Sequence, residues 1–100
     1  MKYLPRELKK NGFTYTQLLR GGRSCIYEQQ VSSKTRRYEV FLIKVRPARK
    51  VFANFSPEHE KFPGNEDFGK WAWSCFTYEQ ALKRFNGLED HSSILSIKNL

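Results

Sequence analysis

The chain has 100 residues, 39% hydrophobic and 15% aromatic, with 18 Lys and Arg against 10 Asp and Glu for a net charge of +8. That length supports one domain, 1–100, with one core that removes about two-thirds of the unfolded surface from water. No stretch approaches the roughly 20 apolar residues of a membrane span, and "MKYLPRELKK" lacks a signal-peptide apolar run, so a cytoplasmic protein without a membrane partner is expected.

"LPRELKKNG" reads as one helical turn or a loosely docked arm over 1–12, with Pro5 at the first helical position, Lys9 and Lys10 toward the carboxyl end and Asn11-Gly12 as a stop. "FTYTQLL" alternates as a strand, Phe13 to Leu19, with Phe13, Tyr15, Gln17 and Leu19 on one side. In "RGGR", Gly21-Gly22 suits the positive φ angles of a two-residue hairpin, returning Ser24 to Val31 antiparallel. "RRYEVFLIKVR", Arg36 to Arg46, is the longest strand candidate, with Phe41, Ile43 and Val45 on its core face and Pro47 ending it.

Residues 47–68 read as a long irregular connection with room for a short strand at Val51 to Phe55, the place where a partner-specific contact could be housed. "GKWAWSCF" predicts a strand, Gly69 to Phe76, with Trp71, Trp73 and Cys75 on its buried face. Thr77 and Gln80 have capping-box spacing, and Tyr78, Ala81, Leu82 and Phe85 form the stripe of a helix that stops at Asn86-Gly87. The tail 88–100 reads either as a last helical turn capped by Ser92 or Ser93 or as a frayed strand alternating through Leu95, Ile97 and Asn99.

Together these elements predict an α+β domain: a small antiparallel sheet of three to four strands, covered on one face by the C-terminal helix. Trp71, Trp73, Phe41, Ile43, Leu82 and Phe85 are expected in its core. The other face is expected to expose Thr14, Thr16, Glu28, Tyr38, Lys44, Arg46, Lys70 and Ser74.

Catalytic chemistry finds little support in the residues. Cys25, His59, Cys75 and His91 are scattered singly rather than at zinc-ligand spacing, so no metal and no cofactor is expected. Both cysteines fall inside predicted strands and read as free, structural thiols, a disulfide requiring their strands to be neighbours. Glu58, His59 and Glu60 read as a solvated charge run, and "RGGR" lacks the spacing of a phosphate loop. An enzyme is not expected.

The charge distribution says more. Thirteen basic residues stand against three acidic ones up to Lys50, and five against seven thereafter, so all the excess lies in the first half. Clustered Lys and Arg suit a polyanion, nucleic acid (DNA or RNA) first, although a solvated surface accounts for the same composition. The expected phosphate contacts are Arg20, Arg23, Arg36, Arg37, Lys44, Arg46, Arg49 and Lys50, with Tyr38 as a stacking residue and the "RGGR" turn as a point of close backbone approach.

In element order alone, over Phe13 to Phe85, the chain resembles the DNA-binding domains of plant ethylene-response factors and integrase arm-binding domains. That likeness implies an open sheet face docked in the major groove. The insert after Arg46 departs from their pattern, and no site residue is carried over. "YEVFLIKV" and "FPGNEDFGKWAW" are similar in texture to small uncharacterised proteins of Bacteroides-type bacteria and their phages, a likeness that implies no function. It introduces the alternative of a phage or mobile-element accessory protein that binds an acidic surface of a protein partner.

Overall fold

The computed structural model describes residues 1–98, an α+β arrangement of nine strands, one 3-10 turn and one C-terminal helix. The main sheet is antiparallel and has five strands, where three to four were expected, in the order β1 (Glu7–Lys10), β2 (Phe13–Arg20), β3 (Ser24–Gln30), β4 (Arg36–Leu42) and β9 (Ala72–Cys75).

The additional strand is β1, in the segment expected to be a helical turn. Asn11 and Gly12 have φ of 54° and 83°, the paired positive angles of a type I′ hairpin, for which Asn-Gly is the preferred sequence. The hairpin places Leu8 opposite Tyr15 on the buried side of the sheet, a gain that a helical turn does not offer.

Both faces of the sheet are covered. On one face Ile26 and Val40 pack against Ala81 and Phe85 of α1 (Tyr78–Lys98), joined by Leu19, Tyr38, Cys75, Leu82 and Leu88. On the other, Tyr15, Cys25, Tyr27, Phe41 and Ala72 are buried under Leu4 and Trp71. Phe62 fits into the middle of that second layer, with its ring centre 5.1 Å from Tyr15, 5.2 Å from Tyr27 and 5.3 Å from Phe41, all edge-on. Each such pair contributes about 0.5–1.5 kcal/mol beyond the area it buries. The open face expected opposite the helix is therefore filled. Thr14, Thr16 and Glu28 lie instead on the helix side, paired along β1–β3 on the face that carries Tyr38 and Val40.

A bulge in β2 explains how Leu19 leaves the side of Tyr15. The register skips Leu18, so that Gln17 faces Tyr27 while Leu19 faces Ile26 and Arg20 faces Cys25. Leu19 thereby joins the helix-side core, and Arg20 turns to the other face.

The two tryptophans also part company. The chain turns at Gly69 (φ 87°) just before β9, so Trp71 enters the second layer against Phe41. Trp73, opposite Val40 on the helix side, is only half-buried and lies under Arg84, whose guanidinium is 4.6 Å from its ring centre.

At Ile43 the long strand breaks, Ile43 N–H donating to Arg23 C=O, and β5 (Lys44–Arg46) pairs with β8 (His59–Lys61) rather than continuing β4. Val45, expected in the core, is consequently exposed. The 47–68 segment is largely structured: it forms a hairpin of β6 (Arg49–Val51) and β7 (Asn54–Ser56), then β8 and a 3-10 turn at Asn65–Asp67.

The helix begins as its spacing predicts. Gln80 N–H donates to Thr77 Oγ1 at 3.1 Å, and Gln80 Oε1 accepts from the N–H groups of Phe76 and Thr77. It does not stop at Asn86-Gly87 but runs to Lys98; Asn99 of the frayed-strand alternative lies outside the described residues. Glu89, one turn beyond Phe85, shows why continuation is favoured: its carboxylate accepts from Gly22 N–H (2.8 Å), Arg23 N–H (2.9 Å) and Ser24 Oγ (2.6 Å). Among the described residues no helix is long and apolar enough to cross a membrane.

Candidate nucleic-acid interface

The basic residues divide by where the strands send them. Cross-strand partners share a face of a ribbon, so Lys44 with Lys61 and Arg46 with His59 line one face of β5–β8, while Val45 and Glu60 line the other. Lys2 joins the row of Arg46 and His59 through a parallel bridge, with Lys2 N–H donating to Glu58 C=O and Glu60 N–H to Lys2 C=O. Like charges directly opposite one another destabilise a ribbon. Lys61 is compensated by Asp67 at 3.3 Å; Lys44 has no carboxylate partner among the described residues. Both ammonium groups stand over Trp71, at 5.5 Å and 5.7 Å from its ring centre.

From this ribbon the β6–β7 hairpin projects with every residue from Lys44 to Phe55 exposed. Lys50 and Phe55 share one of its faces, Arg49 and Ser56 the other. At the two-residue turn Phe52 holds φ of 56° and is 95% exposed. Glycine is the usual residue at the first position of such a turn; a bulky one there costs about 1–3 kcal/mol. Between Lys44 and Ser56 the sequence has Lys44, Arg46, Arg49 and Lys50 and no acidic residue.

The other expected contacts are partly committed to the fold. Arg20 forms a bidentate pair with the buried Glu60, at 2.7 Å and 2.6 Å, and Leu4 N–H donates to the same carboxylate. The Arg20 hydrogen bond holds Glu60 below the ordinary carboxylate range against the opposing effect of burial. Arg36 is paired with Glu28 at 3.2 Å. Arg37 is exposed and lies over the exposed ring of Phe76, 5.2 Å from its centre. Tyr38 meets Tyr78 of α1 edge-on at 5.9 Å and is half-buried, so it is no free stacking surface.

The "RGGR" turn is not the open phosphate cradle its composition implies. Gly21 and Gly22 do not take positive φ; Gly21 is needed for space, since an added Cβ would lie 2.5 Å from Glu89 Oε1 and 2.8 Å from Phe85. The N–H groups of Gly22 and Arg23 already serve Glu89. Burial would raise the pKa of that carboxylate, yet the hydrogen bonds from Ser24, Arg23 and Gly22 outweigh it and hold it below the usual range. Arg23 keeps a half-exposed side chain without a carboxylate partner among the described residues.

Both cysteines are free, Cys25 in the second layer and Cys75 on the helix side. Burial pushes the Cys25 thiol up to about 12, so it stays protonated and unreactive at neutral pH. Among the described residues no three His, Cys, Asp or Glu side chains group as metal ligands.

Of the predicted contacts, the fold brings Lys44, Arg46, Arg49 and Lys50 together on the ribbon and arm. It sets Arg20, Arg23, Arg36, Arg37 and Tyr38 elsewhere on the main sheet and the turn at its end. Sequence reasoning missed Lys2, His59 and Lys61, which join this surface only through pairing across long separations, and Phe52, which the local β6–β7 hairpin carries at its turn. No family model, no curated protein and no solved structure matches the chain.

Proposed function

We propose that the protein is a non-catalytic nucleic-acid-binding module of the cytoplasm, contacting phosphates through the β5–β8 ribbon and the β6–β7 arm. The observation that carries this reading is the acid-free run from Lys44 to Ser56, folded so that Lys44 and Lys61 stand opposite each other. A surface serving solubility alone mixes both signs, whereas a bound polyanion supplies the counter-charge that this run lacks.

The test is fluorescence anisotropy with duplex and single-stranded oligonucleotides across a salt series. If Lys44, Arg46, Arg49 and Lys50 each neutralise one phosphate, log K falls against log salt with a slope of about −3 to −4. Replacing all four with alanine should flatten that slope and abolish binding. Affinity no better than millimolar at low salt for every oligonucleotide defeats the proposal.

The alternative, an accessory protein docking on an acidic protein surface, draws on the exposed Val45, Val51 and Phe55 beside these cations. It prevails if capture from lysate survives nuclease unchanged while the isolated protein ignores oligonucleotides.

A further inference from the structure

The geometry points to Phe52 as a wedge that the arm inserts between stacked base pairs of a duplex, an inference that rests on the nucleic-acid reading above. Three features converge on this residue. It sits at the apex of a two-stranded hairpin, its ring is 95% exposed, and its backbone holds a φ of 56° that a bulky side chain rarely adopts. A solvent-facing turn gains nothing from phenylalanine at that angle, because glycine would remove both the strain and the exposed apolar area.

The stem has what such a wedge needs. Arg49 and Lys50 stand within three residues of the tip, at the level where phosphates flank an inserted side chain, and Asn54 pairs with Val51 just below it as a polar group able to face base edges. Apolar side chains carried into a groove by basic elements unstack single base steps and kink the helix. A lone ring at an apex fits that action. A platform for single strands instead lays successive aromatics along one groove, and the arm's second exposed ring, Phe55, lies on one face of the stem beside Lys50.

Phe52→Gly makes the test, since glycine accepts the turn and removes the ring without threatening the fold. The full chain is titrated into duplexes carrying 2-aminopurine at a central step, with the matching single strand as a second arm, across the same salt series. Wild type should raise 2-aminopurine fluorescence in the duplex as the base unstacks. Phe52→Gly should lose that signal and bind about 10- to 100-fold more weakly, with its salt slope unchanged. Arg49→Ala with Lys50→Ala should instead reduce the slope by about two.

Equal duplex affinity and equal signal for wild type and Phe52→Gly overturn the wedge while leaving nucleic-acid binding standing. Loss confined to the single-stranded arm assigns the ring to base stacking in single strands and overturns the wedge. Self-association in sedimentation that Phe52→Gly abolishes, with oligonucleotide binding unchanged, assigns the ring to a second copy of the chain and likewise overturns the wedge. Failure of wild type to bind any oligonucleotide overturns wedge and function together.

Discussion

Glu39 offers a measurable consequence of the two-layered packing. Its side chain lies on the face covered by Phe62 and Trp71, opposite Tyr27 on β3 and Ser74 on β9, and it is 7% exposed. Oε2 has no hydrogen-bond partner among the described residues. Burial pushes its pKa from 4.5 up to about 7, with Lys10 pulling in the opposite direction; the carboxylate in turn helps to raise Tyr15.

The interval from 4.5 to about 7, at about 1.4 kcal/mol per pH unit and discounted for partial access to water, amounts to about 2–3 kcal/mol. Its sign follows from proton counting: between those values the folded chain holds the proton and the unfolded chain releases it. Stability is therefore fully present below about 4.5, falls as pH rises, and levels off above about 7.

Glu39→Gln keeps the shape and removes the titration. Urea unfolding of both proteins at pH 5 and pH 8 cancels every other titrating group in the difference. The variant should be about as stable as wild type near pH 5 and more stable by about 2–3 kcal/mol at pH 8. Parallel stability curves across that range would refute the buried, unpaired carboxylate and the covering layer that buries it.

Two further outcomes follow from the same architecture. Trp71→Ala should cost about 3–5 kcal/mol by urea unfolding because its ring is buried against Phe41, and Trp73→Ala, half-buried under Arg84, about 1–2 kcal/mol; equal costs would contradict the separation of the two rings. Glu89→Ala leaves two backbone N–H groups and the Ser24 hydroxyl without their acceptor and should cost about 2–3 kcal/mol at pH 7. Because Glu89 is held below the ordinary carboxylate range, the part of that cost due to its charge should disappear as the pH of the unfolding series drops below its folded pKa, so that the cost shrinks; a cost independent of pH would show that the charge contributes nothing.

What the sequence made legible was what neighbouring residues decide among themselves. The strand over "FTYTQLL" and the Thr77–Gln80 cap both appear where expected, because each depends on contacts within a few residues, whereas the alternation holds only to Gln17, where the bulge sends Leu19 to the helix side. Asn11-Gly12 ends a helix or turns a hairpin with equal local propriety; the choice falls to Leu8 meeting Tyr15 across the sheet. Glu89 meets the Gly22 turn 67 residues away, and Arg20 meets Glu60 40 residues away, so neither the continuation of α1 nor the neutralisation of Arg20 has a periodicity to announce it. Phe62 was missed for a related reason: it follows a three-residue strand and precedes the fully buried Pro63, too short a run for either period to register.

The placement of carboxylates finally decides which part of the positive charge is available. Glu28, Glu60 and Asp67 are spent on Arg36, Arg20 and Lys61, and Glu89 on the backbone of the Gly22 turn. Glu39, with its pKa near 7, is partly neutral at physiological pH. These five acids lie on or beside the main sheet and its covering layer, where they set register and close turns. The arm receives none of them. The formal +8 is thus a balance in which most of the internal compensation occurs away from the segment between Lys44 and Ser56, and the field there is more positive than the total conveys. Evenly spread charge would keep the chain in solution without an opposed Lys44–Lys61 pair or an exposed phenylalanine at a strained turn. The strained turn costs stability in the free protein and Lys44 has no carboxylate partner among the described residues; under the function proposed above, a polyanion with stacked bases would answer both.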